Sequence, residues 1–248
     1  MTVVVVSQPM FLPWIGLFDQ MRLADVFVHY DDVQLPRGRS FITRVQVKTH
    51  DGVRWLSLPV ERQDSGALIC ETRISEAGDW RRKHLETLRH SYGKAANFPA
   101  LQEIAQEILR CPVSNLADFN IQALERIAGV LGLTCRFRRA SELSVAGRGS
   151  ERLLSICTHL GASAYLTGHG GRNYLDHGAF ERKGIAVRYM DYAAKPWPQM
   201  HGPFTPFVTI LDLMAAAPFA DARQHFQSRS VDWKIFLADV LQRETIAS

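Results

Sequence analysis

The stretch VVVVSQPMFLPWIGLFDQMRLADVFVHYDDVQ, Val3 to Gln34, constrains the fold more than any other part of the chain. Val3–Val6 is β-branched and continuously apolar, which suits a strand buried on both faces of a parallel sheet. From Gly16 the apolar residues Leu17, Phe18, Met21 and Leu23-Ala24 fall near helical spacing. Val26–Val28 then resumes as a strand ending in His29-Tyr30-Asp31-Asp32. Strand, helix and strand in this order make a βαβ unit. Ligands of open α/β sheets bind beyond the carboxyl ends of the strands, so Ser7–Trp14 and Tyr30–Gln34 are expected on one rim.

Arg44–Lys48 and Trp55–Val60 alternate around His50-Asp51-Gly52, the pattern of a β-hairpin. Helical periodicity follows from Asp79 to about Tyr92, Phe98 to Leu109 and Asn115 to Leu131. These form a helical insertion over about residues 79–131, with Asp79 and Asn115 as N-caps and Gly132 as a stop. Cys135–Arg138 fits a further strand. SERLLSICTHLGASAYLTGHGGRNYLDHGAFERKGIAVRYMDY has the order helix, strand, glycine loop, short helix, strand, a second α/β unit. PFVTILDLMAAAP and VDWKIFLADVLQRE predict C-terminal helices over about residues 207–248. No linker-like composition divides the chain, so one domain over residues 1–248 is expected. Its predicted class is α/β, with an open, mainly parallel Rossmann-like sheet, a mixed hairpin and a helical C-terminal part.

A chain of 248 residues with 46% hydrophobic side chains can bury a sizeable core. Its 29 basic residues are dispersed among 25 acidic ones, for a net charge of +4. That dispersal argues against a nucleic-acid face, which needs concentrated basic charge, and suits a phosphorylated small substrate as well. Cys70, Cys111, Cys135 and Cys157 form no CxxC pair, so neither a zinc site nor a disulfide framework is signalled. No stretch reaches the roughly 20 apolar residues that cross a bilayer, and no basic leader precedes Val3. The expectation is a cytoplasmic protein with reduced thiols and no membrane partner.

Several residue groups suit chemistry. Gln8 offers an amide that both donates and accepts, while Pro9 and Pro13 fix backbone angles and Trp14 supplies a stacking face. The same residues also suit the top of a core. Asp31-Asp32 at a strand end fits a metal contact, a hydroxyl or amine contact, or a general base, and equally an ordinary turn. Arg44 and Lys48 project from one face of a strand and suit a phosphate or carboxylate, and equally ordinary surface ion pairs. Gly168, Gly170 and Gly171 follow a short apolar strand and precede a helix, so backbone N–H groups there can approach an anion. His169 stands among them as a donor or as an acid or base. The alternative is a tight turn that needs glycine. Cys157 lies among Leu153, Leu154, Ile156 and Leu160 and reads as packed.

In chain order, QPMFLPWIGLFDQMRLADVFVHYDDVQ, an Arg-x-x-x-Lys pair, WLSLPV, SERLLSICTHLGASAYLTGHGGRNYLD and FVTILDLM resemble the WbqC-like family over roughly Val3 to Met214. The resemblance makes Gln8, Pro9, Pro13, Trp14, Gly16, Asp32, Gln34, Arg44, Lys48, Ser150, Arg152, Gly168, Tyr174 and Asp212 motif positions. It implies a place in bacterial glycoconjugate or natural-product assembly and modification of an amino group, glycine transfer included. The first βαβ unit is also similar to the nucleotidyltransferase and class I synthetase architecture, with FLPWIG where those proteins carry an HxGH loop. Without those histidines, charge developing on phosphates would need another electrophile.

The expected function is acyl or aminoacyl transfer to an amine of a sugar nucleotide or small metabolite. No cofactor is bound permanently. The activated donor arrives as a carrier-protein thioester, acyl-coenzyme A, aminoacyl-tRNA or nucleotide, so a carrier protein or tRNA is the expected donor partner. Asp32 would take the amine proton, and Gln8 with His169 would orient the carbonyl or stabilise its oxyanion. Arg44 and Lys48 would hold a phosphate. Pro13, Trp14, Asp31, Gln34, Gly168, Gly170, Gly171 and Tyr174 are the expected substrate contacts, with no metal ligands. A nucleotide-dependent nucleotidyl or adenylyl-type transferase and a noncatalytic sugar-nucleotide or carrier-binding module are the alternatives.

Overall fold

The chain begins β1 (Val3–Ser7), α1 (Ile15–Leu23), β2 (Val26–His29), with β1 and β2 parallel and Val4 opposite Val26. The computed structural model describes residues 1–38 and 40–247; for Leu241 and residues 243–247 only the helix they belong to is described. β3 (Arg44–Thr49) and β4 (Gly52–Ser57) form a separate antiparallel hairpin. Its second strand starts three residues before Trp55, because a tight turn at His50-Asp51 sets Gly52 directly opposite Thr49.

The helices α2 (Trp80–Tyr92), α3 (Phe98–Leu109) and α4 (Leu116–Val130) follow. Asn115 caps α4 by accepting from the Asp118 N–H at 3.1 Å. Asp79 does not cap α2. Its backbone is left-handed at φ 50°, and its carboxylate turns to Arg82 at 2.5 Å.

Next come β5 (Arg136–Arg139), α5 (Gly149–His159), β6 (Ala164–Thr167), a 3-10 turn at His169–Asn173, α6 (His177–Arg182) and β7 (Ala186–Asp191). α7 (Ile210–Ala216), α8 (Phe219–Ala222), β8 (Arg229–Asp232) and α9 (Trp233–Ala247) close the described chain. The C-terminal part is therefore not only helical. β8 adds an antiparallel edge to β7, a strand too short and too polar for its periodicity to reveal.

Six strands make one open, mostly parallel sheet in the order β5-β2-β1-β6-β7-β8. Successive side chains on a strand point to opposite faces, so each strand feeds two cores. Val5, Phe27, Leu166 and Met190 join Leu17 and Phe18 of α1, with Leu101 and Leu124 of the helical insertion behind them. Val4, Val28, Tyr165 and Val187 face Ile156 of α5, Phe180 of α6 and Phe236 of α9. From β1 the chain crosses to β2 in one direction, and from β6 to β7 in the other. β1 and β6 are parallel neighbours, so the order reverses between them, and the crevice beyond their ends is where such sheets take ligands. Among the described residues no helix is long and apolar enough to cross a membrane.

His84 of α2 is embedded in the first core against Trp80 at 5.3 Å and Phe11 at 6.0 Å. Burial pulls its imidazole down from 6.5 to about 4, with a backbone contact to Ser57 opposing. The unfolded chain therefore binds the extra proton between those values, and folding loses stability as pH falls through them. We expect acid to cost His84-containing protein about 3 kcal/mol by pH 4 relative to pH 7. Urea titrations of wild type and His84→Leu should show the variant losing less over that window; parallel losses would place the acid sensitivity elsewhere.

Candidate functional site

A cavity of about 670 Å³ lies at the reversal point, reached from the ends of β1 and β6. Ser7, Gln8, Trp14 and Gln20 contribute one side, and Thr167, Gly168, His169 and Tyr174 the other. Met190, Tyr192 and Phe207 extend it. No Asp, Glu, Lys or Arg stands in this lining, and His169 is its only imidazole.

The loop carrying Gln8 and Trp14 is held against its preferences. Leu12, buried, sits at φ 42°, a left-handed backbone that costs a branched residue about 1–3 kcal/mol. Tertiary contacts hold it there. Thr209 donates its hydroxyl to the Leu12 carbonyl at 2.7 Å, the Ile210 N–H donates to Pro13 at 2.8 Å, and the Asn120 amide donates to the Pro9 and Ile42 carbonyls, each at 2.9 Å. Trp14 is thereby fixed edge-on to Tyr192, ring centroids 4.6 Å apart, and 5.4 Å from Phe207. The tyrosine hydroxyl itself is buried. Burial, with the Asp19 charge adding, pushes it up to about 12, so Tyr192 offers the cavity a ring. The side-chain amides of Gln8 and Gln20 have no hydrogen-bond partner among the described residues, so their donors and acceptors face the cavity uncommitted.

His169 is exposed at the cavity mouth, and its Nε2 lies 3.0 Å from the Met190 carbonyl. A carbonyl only accepts, so Nε2 carries the proton and donates, which leaves Nδ1 of the neutral ring as a lone pair. In that tautomer Nδ1 can accept a proton, which is one of the roles its place in the sequence suggests. The glycine loop differs from expectation. It forms a 3-10 turn of five residues, not the start of a regular helix. Gly170 has ordinary backbone angles and open space where a Cβ would stand, so glycine is not required there. Gly171 is the constrained position: a Cβ would come within 2.9 Å of the Thr167 side chain.

Of the other expected site residues, Pro13 is buried beneath the loop. Asp31 is only 1% exposed and accepts from the Ser141 N–H and hydroxyl at 3.0 and 2.7 Å, a structural tie to the segment after β5. Asp32 meets Arg152 of α5 at 2.5 Å, with side chains 19% and 12% exposed, and its second oxygen has no partner. The Arg152 guanidinium lies 5.1 Å over the Tyr30 ring, and the Tyr30 N–H donates to Ser7 at 2.8 Å. This pair thus sits next to the end of β1 but off the cavity lining. Burial pushes the Tyr30 phenol up, and Arg152 opposes it.

Gln34 lines a different hollow, of about 320 Å³, with Arg37 and Asp64. Arg44 packs 3.8 Å over the Trp55 indole on the hairpin. Lys48 is 4% exposed and donates to Gln199 at 3.0 Å, Gly202 at 3.1 Å and Pro203 at 2.6 Å, so its donors are committed to a loop. Desolvation lowers its ammonium, with Asp212 opposing. Neither cation of the hairpin reaches the cavity. Among the described residues no group of three or more His, Cys, Asp or Glu is placed to hold a metal ion.

Gln20, Met190, Tyr192 and Phe207 were not predicted. Gln20 lies one helical turn after Gly16, and Met190 and Tyr192 fall at the end of β7, where the strand-end rule points. Phe207 carried no signal in the sequence. A family model described as the WbqC-like protein family matches residues 8–224. The chain is also similar to the uncharacterized protein Rv1507c of Mycobacterium tuberculosis, 30% identical over 213 residues that cover 85% of this chain and 92% of that protein. No solved structure matches it.

Proposed function

This chain belongs to the WbqC-like protein family, and from that membership and the cleft at the β1–β6 reversal we propose a transferase that passes an acyl or aminoacyl group, glycyl included, to an amine. The acceptor is a sugar nucleotide or small metabolite of glycoconjugate or natural-product assembly. One observation carries the proposal: two uncommitted amides, Gln8 and Gln20, face a cavity whose lining has no Asp, Glu, Lys or Arg. A carbonyl oxygen turning into an oxyanion needs only neutral N–H donors, and an apolar, uncharged wall strengthens them. A transferring phosphoryl group asks for cations at its oxygens, and the lining offers no Lys or Arg, which favours acyl over nucleotidyl transfer.

In this mechanism the donor carbonyl lies against the Gln8 and Gln20 amides, and the acceptor amine approaches His169. The amine nitrogen attacks the carbonyl carbon and its proton passes to Nδ1 of His169, the one lone pair the Met190 contact leaves on the ring. The C–N bond forms as the bond to the carrier breaks, and the carrier leaves with the proton. Asp32, tied to Arg152, positions the rim beside Ser7 and takes no proton. Trp14, Tyr192 and Phe207 exclude water from one side.

Incubation of the protein with amine acceptors and thioester or aminoacyl donors, read by mass spectrometry, tests this. A new amide, with kcat/KM lowered about 100- to 1000-fold by Gln8→Ala, is the expected result. Ligand binding with no amide from any donor class would favour a binding module, and pyrophosphate release would favour nucleotidyl transfer.

A further inference from the structure

Away from the cleft, the end of α2, the hairpin turn and the loop at Met200-His201 wall a second hollow of about 580 Å³. It shares no lining residue with the cleft. Its walls carry His50, Arg89, His90, Lys94 and His201, and no carboxylate. Some basic charge is expected at a helix C-terminus, where the last carbonyls carry roughly half an elementary negative charge. Arg89 and Lys94 alone exceed that several-fold. His50 comes from the hairpin, and His201, from a third segment, uses only its Nε2 on the helix end. Of the charged groups nearby, Asp51 is engaged by His50 at 2.7 Å and by Arg54 at 2.7 Å, while Lys48 and Asp212 are buried in the core.

The third segment is held in place at a cost. His201 has a left-handed backbone, φ 67°, which is worth about 1–3 kcal/mol of strain in a residue with a Cβ. Its Nε2 donates to the Ser91 carbonyl at 2.8 Å, and Lys48 grips the carbonyls of Gly202 and Pro203 from behind. The buried lysine therefore acts as a positioning residue that presents His201 to the hollow. Arg89 Nη2 donates to His90 Nε2 at 3.4 Å, which holds the two side chains together on one wall.

From this convergence of five basic side chains on one concave, carboxylate-free space, we infer that the hollow is a binding site for a small molecule carrying a di- or triphosphate. A flat basic face would suit a nucleic acid backbone, whereas a half-open hollow suits a compact anion held between Arg89 and Lys94 with imidazoles around it. Phe98 and Met200 give the anion's organic part an apolar floor.

Calorimetric titration of the full chain with pyrophosphate and with ADP tests the assignment. Both should bind saturably, and more weakly as NaCl is raised. The Arg89→Ala/Lys94→Ala variant should bind at least about tenfold more weakly while staying folded, its melting temperature lowered by no more than a few degrees. His201→Gln should weaken binding as well, and Gln8→Ala in the cleft should leave it unchanged. Absence of binding by wild type, equal binding by the double variant, or loss of binding in Gln8→Ala would each overturn the site. So would a short RNA that binds through Arg89 and Lys94 where pyrophosphate does not.

Discussion

Gly16→Ala is expected to lower turnover about 100-fold, because a displacement near 1 Å in a positioning group costs that much. A Cβ at residue 16 would overlap Cη2 and Cζ2 of Trp14 and stand 2.8 Å from Cε2, so the indole must move. The indole cannot move alone. It is locked edge-on to Tyr192 and against Phe207, and its backbone follows a loop fixed by Thr209 and Asn120. Stability should fall by only about 1–3 kcal/mol, the usual cost of overpacking. Gly129→Ala in α4 is the control: the added methyl meets no atom within 4 Å, so a helix-stabilising gain of about 0.5–1 kcal/mol and unchanged turnover are expected. Rates and melting curves of the two variants decide the matter. Full activity in folded Gly16→Ala would remove Trp14 from the site.

Arg152→Ala is expected to give the larger loss of stability. The guanidinium and the Asp32 carboxylate are mostly withdrawn from water, 2.5 Å apart, and one Asp32 oxygen already lacks a partner. Removing the arginine leaves a half-desolvated carboxylate alone, which costs about 2–4 kcal/mol after allowance for the remaining exposure. For a chain of this length that is roughly 5–12 °C in Tm. Asp32→Asn with Arg152→Met removes both charges and should recover most of it, since the penalty belongs to the unpaired charge and not to the missing bond. If the double variant is no more stable than Arg152→Ala, the pair is not what holds α5 to the end of β2. Activity of the double variant also separates the roles of Asp32. A stable protein with turnover near wild type fits a carboxylate that shapes the rim, whereas a stable, inactive one would restore Asp32 to the chemistry.

The sequence by itself determined the two α/β units, the hairpin and the rim on which Gln8, Trp14, Gly168, His169 and Tyr174 meet. Those features rest on local periodicity, two along a strand and 3.6 along a helix, and on the rule that strand ends carry the ligand. It was silent on which charges stay free. Lys48 looks like a phosphate ligand from its neighbours four residues away, yet its partners lie 151–155 residues further along the chain. Arg152 reaches Asp32 across 120 residues, and Ser141 reaches Asp31 across 110. Gly170 looks required by its loop, yet the space beside it is open, whereas at Gly16, a motif position, the Trp14 ring leaves no room for a Cβ. Whether a side chain is spent in the core or left for a ligand depends on desolvation and on partners brought together by packing, and neither quantity has a period that a sequence can display. Tertiary structure alone therefore decided that the cleft lining holds no Asp, Glu, Lys or Arg and that Arg89 and Lys94 line a second hollow with three histidines.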